Sequence, residues 1–67
     1  MTYKEFWCVW FDSSDQWRTV IGGTSLGPFG SIGEAANAGY AFFQNGEADF
    51  ECVVDRGDAY LYQERES

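Results

Sequence analysis

Residues 6–11, with the sequence FWCVWF, are apolar on both of the faces that a β-strand presents. Successive side chains of a strand point to opposite sides of the sheet, so this segment divides into two apolar sets. The sets are Phe6, Cys8 and Trp10 on one side and Trp7, Val9 and Phe11 on the other. A strand of this kind lies in the middle of a sheet or has its second face covered. We therefore expect a strand from Tyr3 to Phe11 that meets one of these two conditions.

The rest of the chain predicts two hairpins. Turn-forming residues at 12–16 follow the first strand, and the sequence DRGD at 55–58 forms a second tight turn. The predicted strands after the first one span residues 17–21, 48–55 and 59–63. Residues 22–30 hold four of the eight glycines and the only proline, which predicts a loop.

One helix is predicted between the hairpins. Ser31 and Glu34 form an S-x-x-E capping box at its start, and Asn45-Gly46 supplies a stop signal. The residues at helical spacing are Ile32, Ala35, Ala36, Gly39, Tyr40 and Phe43. Small residues among them would let the helix approach a sheet closely. The predicted fold is an α+β domain of order ββαββ, with an antiparallel sheet, one helix packed on one face, and residues 1–67 in a single domain.

The composition supports an aromatic-rich core, because 45% of the 67 residues are hydrophobic and 19% are aromatic. The expected core consists of the inward-facing strand residues and one helix face: Phe6, Cys8, Trp10, Val20, Phe50, Cys52 and Val54, with Ala35, Ala36 and Phe43. Cys8 and Cys52 could pair in an oxidising environment. Without a secretory signal, buried free thiols and a cytoplasmic location, in a bacterial host if the protein is phage-encoded, are the favoured interpretation.

The charge balance restricts the class of partner. Eleven carboxylates stand against four Lys and Arg residues, for a formal charge of −7. Because a nucleic-acid binder neutralises phosphates with Lys and Arg, direct DNA or RNA binding is not expected, and no segment is long and apolar enough for a membrane. A basic protein surface is the natural complement, although acidity also serves solubility alone.

No pattern of residues predicts catalysis. Histidine is absent, and Cys8 has no candidate base nearby in sequence, so we expect no enzymatic activity, metal site or cofactor. The Arg56-Gly57-Asp58 tripeptide resembles an integrin-recognition motif, but its place in a predicted hairpin favours turn chemistry. Residues 12–15 lack the calcium-loop pattern and are interpreted as a solvated turn.

An acidic stripe is the most informative polar pattern. It comprises Glu47, Asp49, Glu51, Asp55 and Asp58, which we predict to be the partner-binding residues. On a regular strand Asp49 and Glu51 would project from one face about 6.6–6.8 Å apart, as regularly spaced negative charges do on a phosphate backbone. The alternative is the solvated face of a half-buried strand. The absence of lysine after Lys4 favours mimicry.

The whole-chain profile of small size, acidity, α+β order and aromatic richness resembles phage-encoded inhibitors of bacterial defence, above all small acidic anti-CRISPR proteins. The resemblance implies a stoichiometric DNA mimic whose carboxylates pair with Lys and Arg in the DNA-binding groove of a Cas effector or another nucleic-acid-binding complex. It transfers no functional residue, because these inhibitors share no common motif. The other interpretation is a phage or bacterial adaptor domain that binds a protein through an aromatic surface.

Overall fold

The chain forms a five-stranded antiparallel sheet with an α-helix packed on one face. The computed structural model describes residues 4–44 and 49–65. In chain order the elements are β1 (Glu5–Phe11), β2 (Gln16–Ile21), β3 (Thr24–Phe29), α1 (Ile32–Phe42), β4 (Phe50–Asp55) and β5 (Ala59–Glu64). The strands are arranged in the order β3-β2-β1-β5-β4, so β1 is central. The predicted α+β class is confirmed, as is the interior position of the first strand within the sheet.

The segment predicted to be a loop, residues 22–30, contains the additional strand β3. Gly22 and Gly23 connect Ile21 to its cross-strand partner Thr24, and Gly22 has φ 58°, a value that glycine adopts without steric cost. The prediction was wrong because glycine and proline are depleted in strands. Here they are tolerated because β3 lies at the edge of the sheet and pairs on one side only.

The helix begins as the capping box predicts. The Ser31 side chain accepts a hydrogen bond from the Glu34 backbone N–H at 3.3 Å. The Glu34 carboxylate in turn accepts one from the Gly30 N–H at 3.1 Å. The helix ends with Phe43 as its C-cap, and the predicted stop at Asn45-Gly46 lies outside the described residues. The capping interactions therefore place the helix start directly after β3.

The core lies between α1 and the sheet face that it covers, which we call the helix face. Its buried hydrophobic residues are Phe6, Cys8, Ile21, Ala35, Ala36 and Phe50. Phe43 packs against this core while remaining partly exposed. Thr19 is also fully buried, and its hydroxyl donates a hydrogen bond to the Ala35 carbonyl. This bond satisfies the buried hydroxyl and ties β2 to the helix.

Two of the predicted core positions on β1 and β2 are not buried. Val20 pairs with Trp7, which puts it on the opposite, uncovered side of the sheet, called here the open face. Its neighbours Thr19 and Ile21 face the helix instead. Trp10 does point to the helix face, opposite Trp17, but it remains partly exposed near the end of β1.

A β-bulge in β4 changes the predicted alternation. Cys52 pairs with Tyr62 and Val54 pairs with Leu61, so Val53 is an extra residue between them. Val54 therefore lies on the open face, contrary to the prediction. Cys52 stays on the helix face but is exposed, because β4 is an edge strand and α1 packs mainly over β1, β2 and β3. Both cysteines are free thiols, and only Cys8 is buried as expected.

Candidate functional site

The acidic stripe is divided between the two ends of the sheet. Asp49 and Glu51 lie at the start of β4, whereas Asp55 and Asp58 flank the turn that joins β4 to β5. At the strand rise of 3.3 Å per residue, Glu51 and Asp55 are separated by about 13 Å along the chain. Glu47 lies outside the described residues. The stripe does not form one continuous row of charges.

The bulge also separates the stripe by face. Glu51 pairs with Gln63, which in turn pairs with Glu5, and these three residues belong to the open face. Asp55 pairs with Tyr60 after the bulge and therefore belongs to the helix face. On a regular strand the two acids would have shared a face, as the sequence alternation predicted.

Folding instead brings together four acids from two hairpin turns. The β1–β2 turn and the β4–β5 turn lie at the same end of the sheet, because β1 and β5 are antiparallel neighbours. The backbone N–H of Trp10 donates to the Asp58 carbonyl at 2.8 Å, which joins the second turn to β1. With strands about 4.8 Å apart, the turn centres are about 10 Å from each other. We call this group the turn edge; its members are the exposed residues Asp12, Asp15, Asp55 and Asp58.

Local hydrogen bonds hold two of these carboxylates in place. Asp15 has φ 52° and accepts a hydrogen bond from the Trp10 indole N–H at 3.3 Å. Asp55 accepts from the Gly57 backbone N–H at 3.0 Å, an Asx-type contact that shapes the turn. Asp12 and Asp58 make no side-chain hydrogen bond or ion pair within 4–44 and 49–65. Their carboxylates are free to receive donors from a partner.

The two ends of the sheet differ in charge pairing. At the end opposite to the turn edge, Lys4 Nζ lies 3.6 Å from Glu64 and Arg65 Nη2 lies 2.8 Å from Glu51. Both cations of that end are thus in ion pairs. No ion pair within the described ranges involves a carboxylate of the turn edge. The carboxylates of the turn edge are therefore not neutralised by an ion pair among the described residues, although Arg56 lies in the same turn as Asp55 and Asp58.

Aromatic side chains adjoin the turn edge on the helix face. Trp10 and Trp17 are direct cross-strand partners, and the Trp17 and Tyr60 ring centroids are 5.7 Å apart. All three rings are partly exposed. Burial and the neighbouring Asp55 raise the pKa of the Tyr60 hydroxyl above its ordinary value of 10.0. Rings beside carboxylates suit a basic partner, because Arg binds both kinds of group.

The environment of the Cys8 thiol disfavours its ionised form. Burial raises the pKa of the Cys8 thiol to about 11, although a Thr19 hydrogen bond acts in the opposite direction. A thiol of this kind is a poor nucleophile at neutral pH. The described residues contain no cluster of three potential metal ligands. They also contain no helix long and apolar enough to cross a membrane.

Sequence reasoning identified half of the turn edge. Asp55 and Asp58 were predicted as partner-binding residues, whereas Asp12 and Asp15 were interpreted only as a solvated turn. The pairing of β1 with β5 brings the two turns together, and that pairing is a long-range property. The signal that bears on it is the apolar character of β1 on both sides, which indicates a strand with a neighbour on each edge.

Comparisons of the chain with protein-family models, with curated proteins and with solved structures found no match. The surfaces of the molecule itself are therefore the basis for a functional conclusion.

Proposed function

We propose that this protein inhibits a DNA-binding complex of bacterial defence, of the CRISPR–Cas effector type, by placing carboxylates where DNA phosphates would bind. The observation that carries the proposal is the turn edge, where four exposed carboxylates have no ion-pair partner among the described residues. An acidic surface of this kind is complementary to a groove lined with Lys and Arg.

The mechanism is competitive occupation of a basic groove. Carboxylates on two turns whose centres are about 10 Å apart can each accept charge-assisted hydrogen bonds from different cations of the groove. The −7 charge accelerates the encounter, and the rings of Trp10, Trp17 and Tyr60 supply apolar contact beside the charges. The fixed turn geometry lowers the ordering cost of binding.

Competition with DNA tests the proposal directly. Target-DNA binding by purified Cas effector complexes and restriction enzymes would be measured with and without saturating protein. We expect DNA binding by at least one of them to be lost. Unchanged DNA binding across the set would contradict the proposal.

A pair of charge-matched variants locates the contact. Asp12→Lys/Asp58→Lys reverses two acids at the turn edge, and Asp49→Lys/Glu51→Lys reverses two at the other end, with the same change in net charge. Since breaking a paired interface charge costs about 2–5 kcal/mol, the first variant should weaken inhibition at least tenfold more than the second. Equal losses would mean that total charge, and not the turn edge, governs inhibition. Circular dichroism melts must show that both variants are folded.

The alternative function is an adaptor domain that binds a protein partner mainly through its rings. The observation that favours it is the partly exposed group of Trp10, Trp17 and Tyr60. Ionic strength distinguishes the two functions. Association of a mimic with a basic groove slows steeply as salt is added, whereas docking of an apolar surface changes little.

A further inference from the structure

The open face of the sheet carries a continuous apolar row. Val54, Leu61, Trp7 and Val20 are successive cross-strand neighbours on four adjacent strands. All four are partly exposed, and no residue within 4–44 or 49–65 packs over them as a second layer. A sheet buries an apolar face against another layer of structure. The row is thus an apolar surface on which a second layer can pack.

Charges lie on the two sides of this row in a self-complementary arrangement. Arg18 pairs with Val9 and occupies the next open-face position on β2 from Val20 toward the turn edge. Glu5 and Glu51 both pair with Gln63, one on each side of it, at the next paired open-face position from the row toward the other end of the sheet. Glu5 accepts a hydrogen bond from the Gln63 amide at 2.8 Å. The face thus presents Arg18, an apolar row and then Glu5 with the Glu51–Arg65 ion pair, in that order along the strands.

We infer that a second copy of this chain covers the open face, packed sheet against sheet about a two-fold axis that runs along the apolar row. Such an axis superposes the row on itself and reverses the strand direction of the second copy. Each Arg18 then lies toward Glu5 of the other copy, and the two turn edges lie at opposite ends of the pair. Facing sheets pack about 10 Å apart, within reach of an Arg–Glu pair.

An axis parallel to the strands gives the opposite result. It would place the turn edge of one copy on the turn edge of the other, which like-charge repulsion disfavours. The area is also sufficient for a weak dimer. The face is about 24 Å across five strands and about 18 Å along them, so two copies would cover roughly 900 Å² even as flat surfaces. That area is below the standard size of specific interfaces and is typical of weak, transient association.

The mass in solution tests this inference separately from the proposed function, on which it does not depend. Sedimentation equilibrium over a hundredfold concentration range should show conversion from 7.6 kDa to twice that mass. Because each copy carries −7, dimerisation should strengthen from low salt to physiological salt. Binding to a basic groove should weaken over the same change. The two activities are thereby distinguishable.

Three variants identify the face. Trp7→Gln should weaken dimerisation at least tenfold, because it removes the largest apolar side chain of the row. Arg18→Glu alone should also weaken it, and the double variant Glu5→Arg/Arg18→Glu should restore it. Each variant is compared after its circular dichroism spectrum matches that of the wild type. A protein that stays monomeric at every concentration and salt, or a dimer indifferent to all three variants, would overturn the inference.

Discussion

The ring of Phe6 fills the space in which a side chain on Gly39 would begin. A Cβ built on Gly39 would approach three atoms of that ring more closely than 3.0 Å. The helix can therefore lie directly on the central strand. The same ring stacks on Tyr62 at 5.0 Å and contacts Phe50 at 5.3 Å, so it cannot move aside without disturbing other core residues.

Gly39→Ala should destabilise the fold. Overpacking of a core costs about 1–3 kcal/mol, more than the gain of about 1 kcal/mol that alanine brings in helix propensity. Gly33→Ala is the matched control, because the added methyl would meet nothing closer than Ser31 Oγ at 3.8 Å. That variant should gain up to about 1 kcal/mol. Urea denaturation measures both, and equal effects would show that the close approach to Phe6 is unimportant.

Thr19→Val should lower stability by about 0.5–1.5 kcal/mol. The substitution keeps the shape of the side chain but removes the buried hydroxyl that donates to the Ala35 carbonyl. Thr24→Val, at an exposed position on β3, provides the comparison and should change stability by less than about 0.5 kcal/mol. A neutral result for Thr19→Val in thermal melts would mean that the bond between sheet and helix adds no net stability.

Phe50→Ala should cost about 3–5 kcal/mol, which is a large part of the stability of a domain of this size. Phe50 is 7% exposed and contacts the rings of Phe6, Tyr40 and Phe43. Phe42, which is 47% exposed, offers a control at the end of the helix. Phe42→Ala should leave a cooperative melt near that of the wild type. Similar melting temperatures for the two variants would contradict this assignment of the core.

The two thiols should differ in reactivity. Cys52 is exposed and should react with a thiol reagent at pH 8 in the folded protein. Cys8 is fully buried, and burial raises its pKa to about 11, so it should react only after unfolding. Titration with the reagent should therefore detect one thiol in the native protein and two thiols in denaturant. Rapid modification of both thiols in the native protein would contradict the burial of Cys8.

Stability should fall at alkaline pH. The Cys8 pKa is raised from 9.0 to about 11 and that of Tyr62 from 10.0 to about 12, in both cases mainly by burial. Above pH 9 the unfolded chain releases these protons before the folded chain does, so the free energy of unfolding decreases as pH rises. The Cys8→Ala variant should lose the part of this decrease between about pH 9 and 11. A wild-type profile that is flat over this interval would be inconsistent with burial of either group.

Local signals in the sequence were sufficient for most of the fold. The capping box at Ser31 and Glu34 predicted the helix start, and the two-sided apolar pattern of residues 6–11 predicted the central strand. Both signals depend on neighbours within a few residues, which is the range over which sequence patterns are reliable. The strand β3 was not predicted because Gly27 and Pro28 interrupt its alternation of apolar and polar residues.

The candidate site was harder to predict because it depends on pairing between distant strands. A bulge of one residue at Val53 reverses which face receives the later side chains of β4, Val54 and Asp55, and no local pattern marks its position. The two turns are adjacent because β1 pairs with β5, which lies more than 45 residues further along the chain. Asp55 and Asp58 could therefore be identified as exposed, but not as neighbours of Asp12 and Asp15.

Irregular backbone at both outer strands has a consequence for behaviour at high concentration. Gly27 and Pro28 of β3 lie opposite Arg18 alone, and Val53 interrupts the ladder of β4. A straight edge with free N–H and C=O groups is a template on which further copies add as strands and grow into a fibre. Proline and bulges remove that template at both edges. The sheet is consequently protected against open-ended polymerisation.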